Sequence, residues 1–487
     1  MGAERSARAR EAKGESRSSA VAEERKGSGE VRPRMKHAAL TTRLSYATPE
    51  VGGQLVFCVI SFYLLKFYTD VYGLPVAAAG SILLFARCVD AVDAPVWGIV
   101  FDKTKSRWGK SRPWFLWLCL PFAIFGILTF HTPDIGRSGK IAYAACTYVV
   151  CSVLYTGINT PVTSILAGLT RDGGERVTLT TFRMFGSKAG VLLVNLTLLR
   201  MVASLGHGDE RRGFLLTMCV YACGTVLLFL IAFRNLEETV EDDRRRLSVR
   251  ESVRALKGNG PWLITFASSL LFWIAFIARI STAPYFFEYL LHRKDLVSIA
   301  NSLDVVSLGS IFFLPFFCRV TSKRNVWVLG LIGSALAQAV VYGGVRTESV
   351  ALVMAGWTLG FLASGVAMAM PFSILATSVD YGEWKSGIRA AGLLTAIGAA
   401  FCLKAGSGLG GALPAWIMDH YAYIPNVVQS ARSLSGIELS CVWLPAAAYA
   451  LAALPVFFYS RYERDEPRMR TELDQRRRLL TEAMTQI

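Results

Sequence analysis

About twelve times along the chain an apolar run recurs that is long enough for a helix to cross the roughly 30 Å hydrocarbon core of a bilayer, for which roughly 20 residues suffice. The runs fall near 48–72, 75–101, 113–131, 141–169, 183–204, 213–233, 261–290, 297–318, 325–344, 350–378, 389–418 and 437–459. Because hydrocarbon offers no partner for a backbone N–H or C=O, only helices and closed barrels can span it. Weak alternation and the glycine content favour helices, since a barrel strand needs only about ten alternating residues and gives a fainter signal. Charged residues make up 18% and hydrophobic ones 53% of the chain, whereas a soluble domain would carry about a quarter charged. The sequence therefore predicts an all-α membrane protein.

The net charge of +16 would point to nucleic acid in a soluble protein, but here it lies in the connections between runs, so no nucleic-acid partner is expected. Connections after even-numbered runs carry Lys103, Lys105, Arg107, Lys110 and Arg112, then Arg171 and Arg176, then Arg244 to Arg246, Arg250, Arg254 and Lys257, then Lys323 and Arg324, then Lys385. The odd-numbered connections hold fewer. By the positive-inside rule the even connections and both termini face the cytoplasm. Residues 1–42 lack the apolar core of a signal peptide and are too polar to pack, which predicts a disordered cytoplasmic extension. Residues 461–487 read as a charged helix on the same side. Ten Cys are scattered without metal spacing, five His form no zinc-type cluster, and no phosphate-binding glycine motif precedes a helix. Neither a metal, a cofactor nor an enzyme activity is expected.

Six runs within 43–234, a basic connection at 235–260 and six more runs within 261–460 make the layout of a major facilitator transporter, whose halves are related repeats. A trace of the repeat survives. Ser-Ile-Leu-Ala begins at Ser164 after Pro161 and again at Ser373 after Pro371, each time as an even-numbered run leaves for a cytoplasmic connection. The expected fold is twelve transmembrane helices in two six-helix halves.

Charges inside the runs mark the candidate site. Asp90 lies eleven residues before Phe101, about 16 Å at 1.5 Å per residue, close to the middle of the bilayer. Arg87 and Asp90 share a helix face, with Asp93 one short turn further on. Two readings stand: a structural Arg87–Asp90 pair locking the second run to a neighbour, or a part in cation or proton coupling, which intramembrane ionisable groups favour. Lys404 lies in FCLKAGSGLGG, too deep for its stem to snorkel, where the glycines permit close helix contact or a cavity-facing backbone. Arg183 opens the fifth run and reads equally as an interfacial anchor or a site residue. Asn159 precedes Pro161, which frees a carbonyl for a polar partner, and Gln54 can bond across helices. Lys188, Arg279 and Asp304 are further charges within the runs, their roles open.

The stretches LSYATPEVGGQ, KFYTDVYGL, RCVDAVDAPVWGIVFDKTKSRWGKSRPW, TFRMFGS, VDYGEWKSGIR and FCLKAGSG together resemble the glycoside–pentoside–hexuronide:cation symporters, the melibiose permease group, from about Leu44 to the end of the twelfth run. The resemblance implies that Asp90 stands at one of the family's cation carboxylates while Ala94 replaces the second. Asn159 stands where the permease has an acid shared between cation and sugar, and Gln54 where it has a sugar-binding acid. Arg183 and Lys404 match basic residues near the sugar. Asp93 is one residue out of register with the missing carboxylate, a helix rotation of about 100°.

From this resemblance follow the expectations for function. A sugar (glycoside, pentoside or hexuronide) crosses the bacterial inner membrane by symport on a monomeric carrier with alternating access. Gln54, Asn159, Arg183 and Lys404 bind it, and Asp90, Arg87 and Asp93 serve the coupling cation. A proton is expected rather than Na⁺, because a hard cation needs several oxygen ligands and two or three acids are lost. The same losses leave Arg183 and Lys404 less neutralised, which would tolerate an anionic sugar. Asp102, Lys103, Arg107, Asp172, Asp380 and Glu383 are expected in the gate loops. Alternatives are an uncoupled sugar facilitator, if Arg87 keeps Asp90 ionised, and a lipid or lysolipid carrier on the same scaffold.

Overall fold

The computed structural model describes residues 40–104, 106–170, 173–237, 258–387, 394, 398 and 401–485, and every regular element among them is helical. In chain order, α1 spans Leu40–Lys66 and runs on through a π turn at Phe67–Val71. There follow α2 Val76–Lys103, α3 Arg112–Thr129, α4 Arg137–Leu169, α5 Gly173–Gly206 and α6 Glu210–Asn235. The second set begins with α7, Gly260–Tyr285, which also ends in a π turn, Phe286–Leu290. Helix α8 is broken: Leu296–Ser302 passes through a 3-10 turn, Leu303–Val306, into Ser307–Val320. Then come α9 Lys323–Arg346, α10 Val350–Ser386, α11 Cys402–His420, α12 Ala431–Phe457 and the tail helix α13, Ser460–Thr485.

Among the described residues ten helices are long and apolar enough to cross a membrane: α1, α3 to α10 and α12. Helix α2, with Arg87, Asp90 and Asp93 inside it, and α11, with Lys404, occupy the second and eleventh expected runs. The expected 1–42 extension lies outside the described residues up to position 39, and α1 begins at Leu40. Most of the basic connection, 238–257, lies outside them too.

Three expected boundaries are corrected. Helix α5 begins at Gly173, so Arg183 does not open the fifth run but lies ten residues into the helix, about 15 Å from its start. Helix α10 continues to Ser386 because nothing in SVDYGEWKS breaks it until Gly387, whose φ of 71° closes the last turn. Asp380 and Glu383 are therefore helical and not loop residues. Asp102 and Lys103 likewise belong to the end of α2, which stops where Thr104 turns extended.

The first six-helix set meets the second where α1 packs on α7, α2 on α11 and α5 on α8. Glycine permits two close approaches, one within the first set and one between the sets. A Cβ on Gly190 would lie 2.7 Å from the Cβ of Gln54, and one on Gly408 would lie 2.7 Å from the Cβ of Arg87. Gly186 and Gly190 thus seat α5 on α1 in the small-xxx-small manner of membrane helix pairs. The expected tail helix is present and docked. Lys323 Nζ is 2.7 Å from Glu466, the Trp384 indole donates to Glu472 at 2.7 Å, and Met469 and Leu473 are buried.

Candidate functional site

At the α2–α11 contact four charges form one cluster. The i, i+3 spacing lets Arg87 Nη1 bond Asp90 Oδ2 at 2.8 Å, and Ser152 Oγ of α4 donates to the same oxygen at 2.8 Å. Lys404 reaches across from α11, bonding the Asp90 carbonyl at 3.0 Å and Thr156 Oγ1 at 3.1 Å, and lies 3.4 Å from Asp93 Oδ1. Asp93 joins Lys404 in the helix register as it stands, without rotation. Two cations and two carboxylates balance, as burial of charge requires. One oxygen of each carboxylate, Asp90 Oδ1 and Asp93 Oδ2, is buried with no partner among the described residues.

Helix α4 carries this cluster toward a second one. Thr156, Asn159, Thr160 and Thr163 recur at i, i+3, i+4 and i+7 and so line one helix face. Thr156 meets Lys404, while Thr163 Oγ1 accepts from Arg183 Nη1 at 3.3 Å. Between them Asn159 is half-buried and makes no hydrogen bond among the described residues. Arg183 is ion-paired with Glu50 of α1. One turn along both helices, Gln54 Nε2 donates to Ser187 Oγ at 3.0 Å. Tyr155 stacks on Phe57 with ring centroids 4.7 Å apart, and the Arg87 guanidinium lies 5.8 Å from the other ring. All four expected sugar residues, Gln54, Asn159, Arg183 and Lys404, therefore border one polar stripe with an aromatic pair beside it.

The surplus cation expected at Arg183 and Lys404 is not present: Glu50 neutralises the first and Asp93 the second. Sequence reading missed Glu50, although its place four residues before Gln54 puts it on the same face of a membrane helix. Glu50→Gln is expected to leave a partly buried guanidinium unpaired and to cost roughly 1–3 kcal/mol, discounted for the one-quarter exposure of Arg183. Thermal unfolding in detergent checks this, with Glu50→Gln/Arg183→Gln expected to recover most of the loss.

A second ionic network, also missed, ties the two sets together at the far end of α1 and α7. Lys66 pairs with Glu288 across the contact and lies 3.2 Å from Asp70 on its own helix. The Asp70 carboxylate accepts from Tyr289 and Tyr423, each at 3.0 Å, and Asn426 donates to its carbonyl at 2.7 Å. Lys294 of the second set bonds Glu210 of the first at 2.6 Å. At the opposite end the bonds described stay within one set: Arg43–Glu175 at 2.9 Å, Lys323–Glu466, and Arg112 to the Arg234 carbonyl at 3.2 Å. There Thr163 and Ser164 of α4 and Phe372 and Ser373 of α10 are exposed. Of the expected gate residues at that end, Arg107 stacks on Trp108 at 4.5 Å and Lys103 is exposed. Asp172 and the side chain of Asp102 lie outside the described residues.

Lys188 of α5 and Asp304 of α8 pair at 2.5 Å. Arg279 of α7 is fully buried, donates to the Trp357 carbonyl at 2.7 Å, and lies 4.3 Å from the Trp357 ring and 4.7 Å from that of Phe361.

Comparison with known proteins agrees with this architecture. The family model described as MFS/sugar transport protein matches residues 45–461. The chain is 36% identical over 438 residues to the isoprimeverose transporter of Lactiplantibacillus pentosus, covering 89% of this chain and 91% of that protein. It is 31% identical over 423 residues to the putative glycoside/cation symporter YagG of Escherichia coli (strain K12), covering 85% and 91% respectively. In fold it is similar to a bacterial homolog of the human lysosomal transporter Spinster, crystallised inward-facing and unoccupied, with a TM-score of 0.64, 13% identity and coverage of 88% and 97%.

Proposed function

Since the chain belongs to the MFS/sugar transport protein family, a family of transporters and not of enzymes set in the bacterial inner membrane, we propose that it moves a neutral glycoside or pentoside by proton symport. The observation that carries this reading is the balanced Arg87–Asp90–Asp93–Lys404 cluster at the head of the α4 polar stripe. Gln54, Asn159, Arg183 and Lys404 offer donors and acceptors to sugar hydroxyls, and the Phe57–Tyr155 stack offers an aromatic neighbour. Neutralisation of both basic residues favours an uncharged sugar over a hexuronide, because an anion would have to displace Glu50 or Asp93.

The coupling ion in this reading is a proton. Around Asp90 the neighbours are N–H and O–H donors from Arg87, Ser152 and Lys404, where Na⁺ would need oxygen acceptors. The spare oxygens Asp90 Oδ1 and Asp93 Oδ2 suit protonation. In this reading twelve helices cross the membrane with both termini in the cytoplasm, and the Lys66 network then lies at the outer face. Closure there supports alternating access by rocking of the halves. Lys103, Arg107, Asp380 and Glu383 then lie where an inner gate would form when the outer one opens.

A second reading, uncoupled facilitation, is favoured by the 2.8 Å Arg87–Asp90 bond, which engages the carboxylate with a cation of its own helix. Uptake of labelled glycosides, pentosides and hexuronates into proteoliposomes, with proton and Na⁺ gradients imposed separately, tests both. Accumulation of a neutral sugar driven only by the proton gradient is the expected result. Na⁺-driven accumulation would overturn the proton assignment, and equilibration under either gradient would establish the facilitator.

A further inference from the structure

The polar contacts at α2–α11 and at α5–α8 are copies of one another. Helices α5 and α11 are the fifth of their halves, and Phe-x-x-Lys-Ala-Gly recurs at both: Phe185, Lys188, Ala189 and Gly190 in α5, and Phe401, just before α11, with Lys404, Ala405 and Gly406 inside it. Helices α2 and α8 are the second of their halves. Aligning Asp90 with Asp304 brings Asp93 onto Ser307 and Arg87 onto Asn301. The contacts obey the same correspondence. Lys404 bonds residue 90 through its carbonyl at 3.0 Å and lies 3.4 Å from the Asp93 side chain, three residues on. Lys188 bonds Asp304 Oδ2 at 2.5 Å and Ser307 Oγ at 3.3 Å, again three residues on. In each case the fifth-helix lysine of one half grips the second helix of the other. That is the pattern a duplicated half with an approximate two-fold axis must produce.

The two copies differ in what is left over. The α2 copy has two carboxylates and two cations, with one buried oxygen of each carboxylate unpartnered. The α8 copy has a single carboxylate, whose Oδ2 is taken by Lys188 and whose Oδ1 accepts from Ser307 Oγ at 3.4 Å. Asn301 replaces the arginine and Ser307 the second acid, so neither oxygen of the one carboxylate is spare and no cation is in surplus. Asp304 also sits in the 3-10 turn that interrupts α8, and such a mid-helix segment commonly marks a hinge.

We propose that Lys188, Asp304 and Ser307 form an ion-free latch between the halves, which parts and re-forms in every transport cycle while the coupling proton uses only the α2 copy. The inference rests on the carrier reading above. Pairing keeps the latch neutral at the contact between the halves, and the α8 hinge lets it release.

The test compares wild type with Asp304→Asn, Lys188→Gln, their double mutant and Asp304→Glu in proteoliposomes. Three quantities are read: maximal rate per folded carrier, KM for the sugar, and accumulation ratio under a proton gradient. Each single neutralisation is expected to lower the maximal rate about tenfold or more, with KM changed less than about twofold. The double mutant is expected to recover at least about threefold over the worse single, and Asp304→Glu to retain most of the rate. The accumulation ratio stays at the wild-type value throughout. A double mutant no better than the worse single would overturn the latch, as would a rate per folded carrier that never changes. A fall in accumulation ratio for Asp304→Asn with exchange intact would instead make Asp304 an ion carrier. Should wild type move no sugar, the carrier reading fails by itself. The pairing is then read from melting temperatures in detergent, where singles below wild type with a recovered double keep the contact and equal values remove it.

Discussion

Asp90→Asn is expected to reduce sugar accumulation driven by a gradient of one pH unit from about tenfold to none, while leaving equilibration across the membrane. One pH unit is worth about 1.4 kcal/mol per proton, and 1.4 kcal/mol is about tenfold in concentration. A carrier that moves one proton per sugar can therefore sustain about that ratio and no more. An asparagine keeps the size of the side chain and can still accept from Ser152, but it binds no proton. It also leaves Arg87 as a buried, uncompensated cation, which costs about 3–5 kcal/mol where a buried pair is broken on one side. For that reason Arg87→Gln/Asp90→Asn is the informative companion: it removes both charges and restores folding. If the double mutant equilibrates sugar yet does not accumulate it, coupling resides in Asp90 and not in the integrity of the fold. Full accumulation by the double mutant would move the proton to Asp93, the other carboxylate with a free oxygen.

How far the sequence reveals such a site depends on the distance over which its parts are joined. Apolar length is local, so the runs and their order were legible, and so was the Arg87–Asp90 pair, which needs only i, i+3 spacing on one helix. Lys404 was legible as an anomaly, a charge too deep to reach water, but its partners were not. They depend on α11 packing against α2 through Gly408, more than three hundred residues away from Arg87 in the chain. Arg183 was misplaced because hydropathy alone starts the fifth helix where the polar turns end, whereas the helix continues back through Glu175 and Thr178 to Gly173. Glu50, Lys66, Asp70 and Glu288 lie inside expected runs, yet their neighbours are apolar enough to hide them in a window average. What would have exposed them is a tally of every ionisable residue within a run, each asked for a partner of opposite sign on another.

Lys66 bears the largest conformational consequence. Its ammonium lies between Glu288 on α7 and Asp70 on α1, and 5.4 and 5.2 Å from the rings of Tyr285 and Tyr289. Asp70 in turn holds Tyr289, Tyr423 and Asn426 from the other half. Lys66→Met removes the cation from this arrangement and leaves two carboxylates facing each other across the contact that closes this end. Loss of one partner of a buried pair is worth about 3–5 kcal/mol, which at 1.4 kcal/mol per tenfold shifts the ratio of closed to open carrier by roughly a hundredfold or more. The mutant is accordingly expected to rest open at the Lys66 end and to transport slowly, since each cycle must close that end against repulsion. Spin labels at the exposed positions Ser138 and Glu348, one on each half at that end, read the change as a longer inter-half distance. Glu288→Gln should do less, because Asp70 still holds Lys66. Lys66→Met/Glu288→Gln should return toward the closed distance, because a single carboxylate then remains within its cage of tyrosine hydroxyls. An unchanged distance in Lys66→Met would mean that the α5–α8 and α2–α11 contacts alone hold the outer end shut.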